Sequence, residues 1–228
     1  SMQPKLLHYK ICSTFDSSPE IGNIAIALEC LRPLAQVAVS PVLGGQINLG
    51  RYCVFATLFA QAGQDGQVYR IDRHPTMGSH PVTPMHEADL LLHLQAQGLK
   101  NVFSLPWTEY QKTDYEANKQ SKQWQEQAAE HGHQHPLLDI ACEADIAQAG
   151  ALLKVLSQNG TVLTAGSSSV AQAYLSQRPD TFAQPVTGLH ASTQPVLILV
   201  GSQSPITAQQ VARCQQADIF ELDPYELH

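Results

Sequence analysis

Leu137 to Gln177 reads LLDIACEADIAQAGALLKVLSQNGTVLTAGSSSVAQAYLSQ. The apolar run Leu137 to Cys142 predicts a strand. Ile146, Leu152, Leu153 and Leu156 then place one apolar face on a helix over Ala144 to Leu156, ended by Asn159-Gly160. Thr161 to Thr164 is a second strand and Ser168 to Gln177 a second helix. Strands alternating with helices at this spacing predict a parallel sheet covered by helices. The fold class expected for the whole chain is therefore α/β, a mostly parallel sheet flanked by helices in Rossmann-like layers.

Upstream, the same pattern continues. Tyr9 to Phe15 predicts a strand that ends in the turn Asp16-Ser17-Ser18. Pro19 and Glu20 mark a helix start, and Ile21, Ile24, Ala25, Leu28 and Leu31 share its face. Gln36 to Leu43 predicts a strand broken at Gly44-Gly45. Arg51 to Phe59 predicts one strand, joined through Asp65-Gly66 to Val68 to Ile71 as a hairpin-like pair. Asn101 to Leu105 is a short strand. The polar Thr113 to Glu130 is an exposed helix anchored by Trp124. Downstream, Val196 to Val200 and Ile219 to Leu222 predict strands around a helix over Thr207 to Gln216. A boundary near 190 is expected, with 1–190 as one domain and 191–228 as the start of a second α/β domain.

Chemical groups are densest in Tyr69 to Leu90, YRIDRHPTMGSHPVTPMHEADL. Pro75, Pro81 and Pro84 stiffen the backbone, so Arg73 to Pro84 is expected to be an ordered, non-helical loop. Thr83-Pro84 is the expected start of a helix that buries Leu90, Leu91 and Leu94 and ends at Gly98. Such a loop suits an anionic ligand, or equally a proline-rich connector with solvated charges. Two glycine-serine turns, Gly166-Ser167-Ser168-Ser169 and Gly201-Ser202-Gln203-Ser204, each follow an apolar strand. They suit either phosphate binding at strand ends or plain serine capping. Neither matches a Walker A or GxGxxG pattern.

Composition excludes several classes. A net charge of −7 opposes a general nucleic-acid or anionic-membrane surface. No apolar run reaches the ~20 residues of a membrane span, and SMQPKLLHYK lacks the apolar centre of a signal peptide. Cys12, Cys30, Cys53, Cys142 and Cys214 show no CxxC spacing, which suggests reduced thiols and a cytoplasmic location. The three alternate histidines of HGHQH, His131 to His135, could bind a metal, but no carboxylate or cysteine pattern completes the set, so a surface loop is expected there and no metal. No GxSxG nucleophile elbow is present.

Three stretches together resemble the four-carbon acid sugar kinase family, some of whose members carry a type III effector label. They are CSTFDSSPEIGNI (Cys12 to Ile24), LGRYCVFATLFA with the central loop, and GSQSPITAQQV (Gly201 to Val211). The resemblance implies ATP-dependent phosphorylation of a threonate, erythronate or 3-oxotetronate type of acid, with ATP and Mg²⁺ as cofactors. It implies sugar-acid contacts from Ser13, Thr14, Asp16 and Ser17, with Arg51, Arg73, His80 and Thr83 as further candidates. Gly201, Ser202 and Ser204 would face the nucleotide. No catalytic base is implied. The family's acidic ADDFTGA-type motif and late GGxTS-type segment are not found, so a partial chain without turnover of its own is expected. The alternative is a non-catalytic binding or effector-like protein derived from the family. A small-molecule partner is expected, with no nucleic acid and no membrane, and a homodimer that covers surface left open.

Overall fold

The computed structural model describes residues 4–63, 66–178, 194–201 and 205–223. Its contacts separate a first unit, Ser1–Phe182, from a second, Ala183–His228. In the first unit a parallel sheet holds β1 (Leu6–Lys10), β2 (Val42–Gly44), β6 (Val102–Leu105), β7 (His135–Asp139) and β8 (Val162–Gly166) in the order β1-β8-β2-β7-β6. A smaller antiparallel sheet holds β3 (Arg51–Val54), β4 (Thr57–Ala62) and β5 (Gln67–Arg70). The helices are α1 (Ile24–Leu31), α2 (Leu90–Ala96), α3 (Trp107–Tyr110), α4 (Ala117–His131), α5 (Glu143–Leu156) and α6 (Ser169–Ser176).

Alternation along the buried strands divides the core between the two faces of the parallel sheet. Leu137, Leu163 and Ala165 pack with Leu28 of α1, Leu90 and Leu94 of α2 and Leu58 of β4. Leu138, Val162 and Leu43 pack with Trp124 of α4, Leu152 and Leu153 of α5 and Val170 of α6. The sheet is thus covered on both faces, as parallel sheets require. Trp124 is 1% exposed and anchors the otherwise polar α4, as its isolated position in the sequence predicts.

Several boundaries differ from the sequence reading. The first strand is Leu6–Lys10 rather than Tyr9 to Phe15, because its register is set by β8, from Leu6 opposite Val162 to Lys10 opposite Gly166. α1 starts at Ile24, not Pro19; the Asn23 side chain caps it by accepting from Ile26 N, and Ile21 is left exposed. Gln36 to Leu43 shortens to Val42–Gly44, because before it only Val39 bridges a neighbour, Gln134. Arg51 to Phe59 is not one strand but two, folded back at Phe55-Ala56. Thr83-Pro84 does not start a helix: α2 begins at Leu90, capped by Asp89 accepting from Leu91 N and Leu92 N. In the second unit, Pro205–Ala212 forms α7. Val196 to Val200 and Ile219 to Leu222 are not strands, since no neighbouring strand pairs with them among the described residues and their side chains are exposed.

The HGHQH segment also departs from a plain surface loop. His131 ends α4 in solvent, His133 is half-buried, and His135 is buried as the first residue of β7, opposite Val102. Among the described residues no three His, Cys, Asp or Glu side chains form a metal-binding group. Burial, together with His135 and Arg32 close by, lowers His133 to about 4. Its ordinary value is about 6.5, so the unfolded chain binds the proton first. The stability His133 contributes is full above that value and is lost as pH falls toward 4. The melting temperature should therefore drop through this window, and His133→Gln should flatten the drop. An identical pH profile for the variant would contradict the assignment.

Candidate functional site

The carboxyl ends of parallel strands are where α/β folds place ligands, and here two predicted segments meet. The loop after β1 runs from Ile11 to Ser18. Ile11 N donates to the Gly166 carbonyl at 2.9 Å, and His8 Nε2 donates to the same oxygen at 3.0 Å. The loop therefore lies beside the Gly166-Ser167-Ser168-Ser169 turn that opens α6. Phe15 turns the loop with a left-handed φ of 57° while its ring is 1% exposed in the core. Burying the ring holds a backbone conformation that a non-glycine residue rarely adopts.

Within the loop, Thr14 Oγ1 donates to Asp16 Oδ1 at 2.5 Å and lies 3.0 Å from Cys12 Sγ. This fixes the Asp16 carboxylate and leaves its Oδ2 without a partner among the described residues. The Ser13 hydroxyl likewise has no hydrogen bond among them. Ser17 differs. Its Oγ donates to the Phe15 carbonyl at 2.8 Å, accepts from Gln97 Nε2 at 2.7 Å and lies 2.9 Å from His93 Nε2. Gln97 Oε1 in turn accepts from Ile24 N at 2.7 Å. Ser17 thus ties the loop to α1 and α2. Burial lowers the His93 imidazole below its ordinary range, partly opposed by the Phe15 carbonyl and Glu87. A neutral ring whose Nε2–H donates to that carbonyl satisfies the geometry.

The other candidates lie apart in bonding. Arg51 opens β3 and donates from Nη1 to the Leu49 carbonyl. Arg73 is exposed. His80 Nδ1 accepts from Thr83 N at 3.0 Å and lies 3.1 Å from the Thr83 hydroxyl, so these two brace the central loop. No hydrogen bond or ion pair among the described residues joins these four side chains to the Ser13–Asp16 group. Gly201 is exposed in the second unit, and Ser202 and Ser204 fall outside the described residues. In the other turn Ser167 and Ser169 bond one another at 3.0 Å, and Ser168 is exposed. The described residues do not assemble a nucleotide cradle.

Sequence reasoning missed Asp139, at the carboxyl end of β7. It is 0% exposed, and its oxygens accept from Phe55 N at 2.6 Å, Ala56 N at 3.0 Å, Trp107 N at 3.3 Å and Cys53 Sγ at 3.2 Å. Burial raises its carboxyl above the usual range, and those donors pull it back. Burial, with Asp139 beside it, also raises the Cys53 thiol, which stays protonated and donates. Gly45, at φ 99°, brings the backbone so close that a Cβ would sit 2.5 Å from the Ile140 carbonyl oxygen. A charged residue inside the apolar strand predicted over Leu137 to Cys142 was the available signal for Asp139; its partners, 32 to 86 residues away, were not visible.

A model of the sugar-binding N-terminal domain matches residues 1–174. A 3-oxo-isoapionate kinase of Paraburkholderia graminis is 37% identical over 210 residues, covering 90% of this chain and 43% of the kinase. A 3-oxo-tetronate kinase of Actinobacillus succinogenes is 28% identical over 224 residues, covering 95% of this chain and 48% of that protein. The chain spans about half the length of the curated relatives it matches. The crystal structure of a Haemophilus influenzae protein superposes with a TM-score of 0.65 at 21% identity, over 92% of this chain and 47% of that one. At that identity the likeness shows the fold.

Proposed function

Because this chain belongs to the sugar-binding N-terminal domain family, within the four-carbon acid sugar kinases, we propose that its first unit binds a four-carbon sugar acid for ATP-dependent phosphorylation. One observation carries this assignment. Inside the matched residues, the loop at the carboxyl end of β1 offers a free Ser13 hydroxyl and an Asp16 carboxylate held in place by Thr14. Ser13 donates to the acid's carboxylate, and Asp16 Oδ2 accepts from a sugar hydroxyl. Ser17, Gln97 and His93 keep the loop rigid, so little ordering cost falls on binding. Arg51 and Arg73 supply positive charge toward the acid, with His80 and Thr83 bracing the segment that carries Arg73.

ATP with Mg²⁺ belongs to this reading as the phosphoryl donor, with Gly201, Ser202 and Ser204 on its side. No step is assigned to it, since no cradle for it is formed by the described residues. A cytoplasmic location, a homodimer and a domain boundary near 190 are part of the same proposal. No helix among the described residues is long and apolar enough to cross a membrane.

Calorimetric titration with threonate, erythronate and 3-oxotetronate tests the assignment. One of these should bind saturably, and Asp16→Asn or Ser13→Ala should weaken it about tenfold, the worth of one charge-assisted hydrogen bond. A folded chain that binds none of them would favour the non-catalytic interaction reading instead.

A further inference from the structure

The opposite, amino-terminal edge of the parallel sheet holds a second group of ionisable side chains. A cavity of about 400 Å³ is lined there by Glu29, Arg32, Gly98, Lys100, Asn101, His133 and His135. The end of α1 contributes Glu29, and Arg32 follows it directly; Lys100 and Asn101 lead into β6. His133 and His135, two apart at the start of β7, lie with ring centroids 5.1 Å apart. Each ring is oriented by its far nitrogen. His135 Nδ1 donates to the Lys100 carbonyl at 2.9 Å, and His133 Nε2 lies 2.7 Å from Ser40 Oγ. The other nitrogen of each ring, Nε2 of His135 and Nδ1 of His133, has no partner among the described residues. Nor has the Lys100 ammonium. Arg32 is paired with Glu29 through Nη2 at 3.0 Å. Asn101 is engaged with the carbonyls of His131 and His133.

We propose that this cavity is an anion site, taking a tetrahedral oxyanion between Arg32, Lys100 and the paired imidazoles of His133 and His135. The lining carries two permanent cations and one carboxylate, and Arg32 pairs with that carboxylate. The Ser40 hydroxyl can donate to His133 Nε2, which leaves a His133 Nδ1–H donor for an anion. His135 becomes a second donor once Nε2 takes a proton. The surroundings resist that proton: burial and Arg32 lower both rings, while the hydrogen bond to the Lys100 carbonyl and the Glu29 carboxylate partly raise His135. An anion reverses this balance, so binding is coupled to proton uptake. His131, at the end of α4, is exposed beside Glu130 and does not line the cavity.

Sulfate is the first probe, since its charge is constant across the range where imidazoles titrate. The imidazole resonances of the full chain are followed as sulfate replaces chloride at constant ionic strength. Saturable shifts at His133 and His135 are expected, with affinity several-fold tighter at about pH 5 than at about pH 7.5. Arg32→Gln should weaken binding about tenfold, and Glu29→Gln should tighten it. Both positions are exposed, so a melting temperature close to the parent's will show that the variants fold. Glycerol 3-phosphate forms the second arm. Tighter binding than sulfate assigns the cavity to the phosphoryl group of a small molecule, and equal binding assigns it to the free ion. No saturable shift with either probe, or shifts that Arg32→Gln leaves unchanged, would overturn the proposal.

Discussion

Asp139→Ala is expected to remove about 4 kcal/mol of stability and lower the melting temperature by roughly 10 °C. Phe55 and Ala56 turn the chain between β3 and β4 with φ of 50° and 62°, a left-handed pair that favours glycine or asparagine. Neither residue supplies that preference, so the turn depends on outside support. Asp139 provides it by accepting from both backbone N–H groups and from Trp107 N. Truncation leaves those donors without an acceptor, at about 1–3 kcal/mol each, partly offset because a carboxylate no longer has to be buried. Placing Asn-Gly at 55–56 in the Asp139→Ala background should recover about 1 kcal/mol. Chemical denaturation measures both effects. A loss below about 1 kcal/mol for Asp139→Ala would mean the hairpin holds itself.

Gly150→Ala carries the other large effect, and its sign is opposite to the usual one. Within a helix, alanine is favoured over glycine by about 1 kcal/mol. Here a Cβ on Gly150 of α5 would lie 2.1 Å from the Ala173 carbonyl oxygen and 2.7 Å from Ser176 Oγ of α6. The first contact is backbone, so relief requires α6 to move away from α5. Overpacking of this kind should cost about 3 kcal/mol net. A variant more stable than the parent would show that the two helices are not in close contact.

The alternation in Leu137 to Gln177 was legible because each element carries its own period and its own stop signal. β7, α5, β8 and α6 all fall within two residues of their predicted bounds at most ends. What stayed hidden depends on distant partners. Phe55-Ala56 contains no turn residue, so Arg51 to Phe59 read as one strand; Asp139 makes the turn. His135 read as loop, yet its pairing with Val102 starts a buried strand. Ser17, which the resemblance puts among the sugar-acid contacts, also bonds Gln97, 80 residues on, a tie that no local pattern shows. The Ser13–Asp16 group was visible as a cluster, while its neighbour, the Gly166 turn, comes alongside only through the β1–β8 ladder.

The most direct test of sugar-acid binding is an amide chemical-shift map of the chain titrated with threonate, erythronate or 3-oxotetronate. Saturable shifts concentrated in Ser13 to Ser17 and in Gly166 to Ser169, with the affinity about tenfold weaker in Asp16→Asn, are the predicted result. Saturable binding whose shifts lie elsewhere and whose affinity Asp16→Asn leaves unchanged would contradict the placement of the site at the carboxyl end of β1.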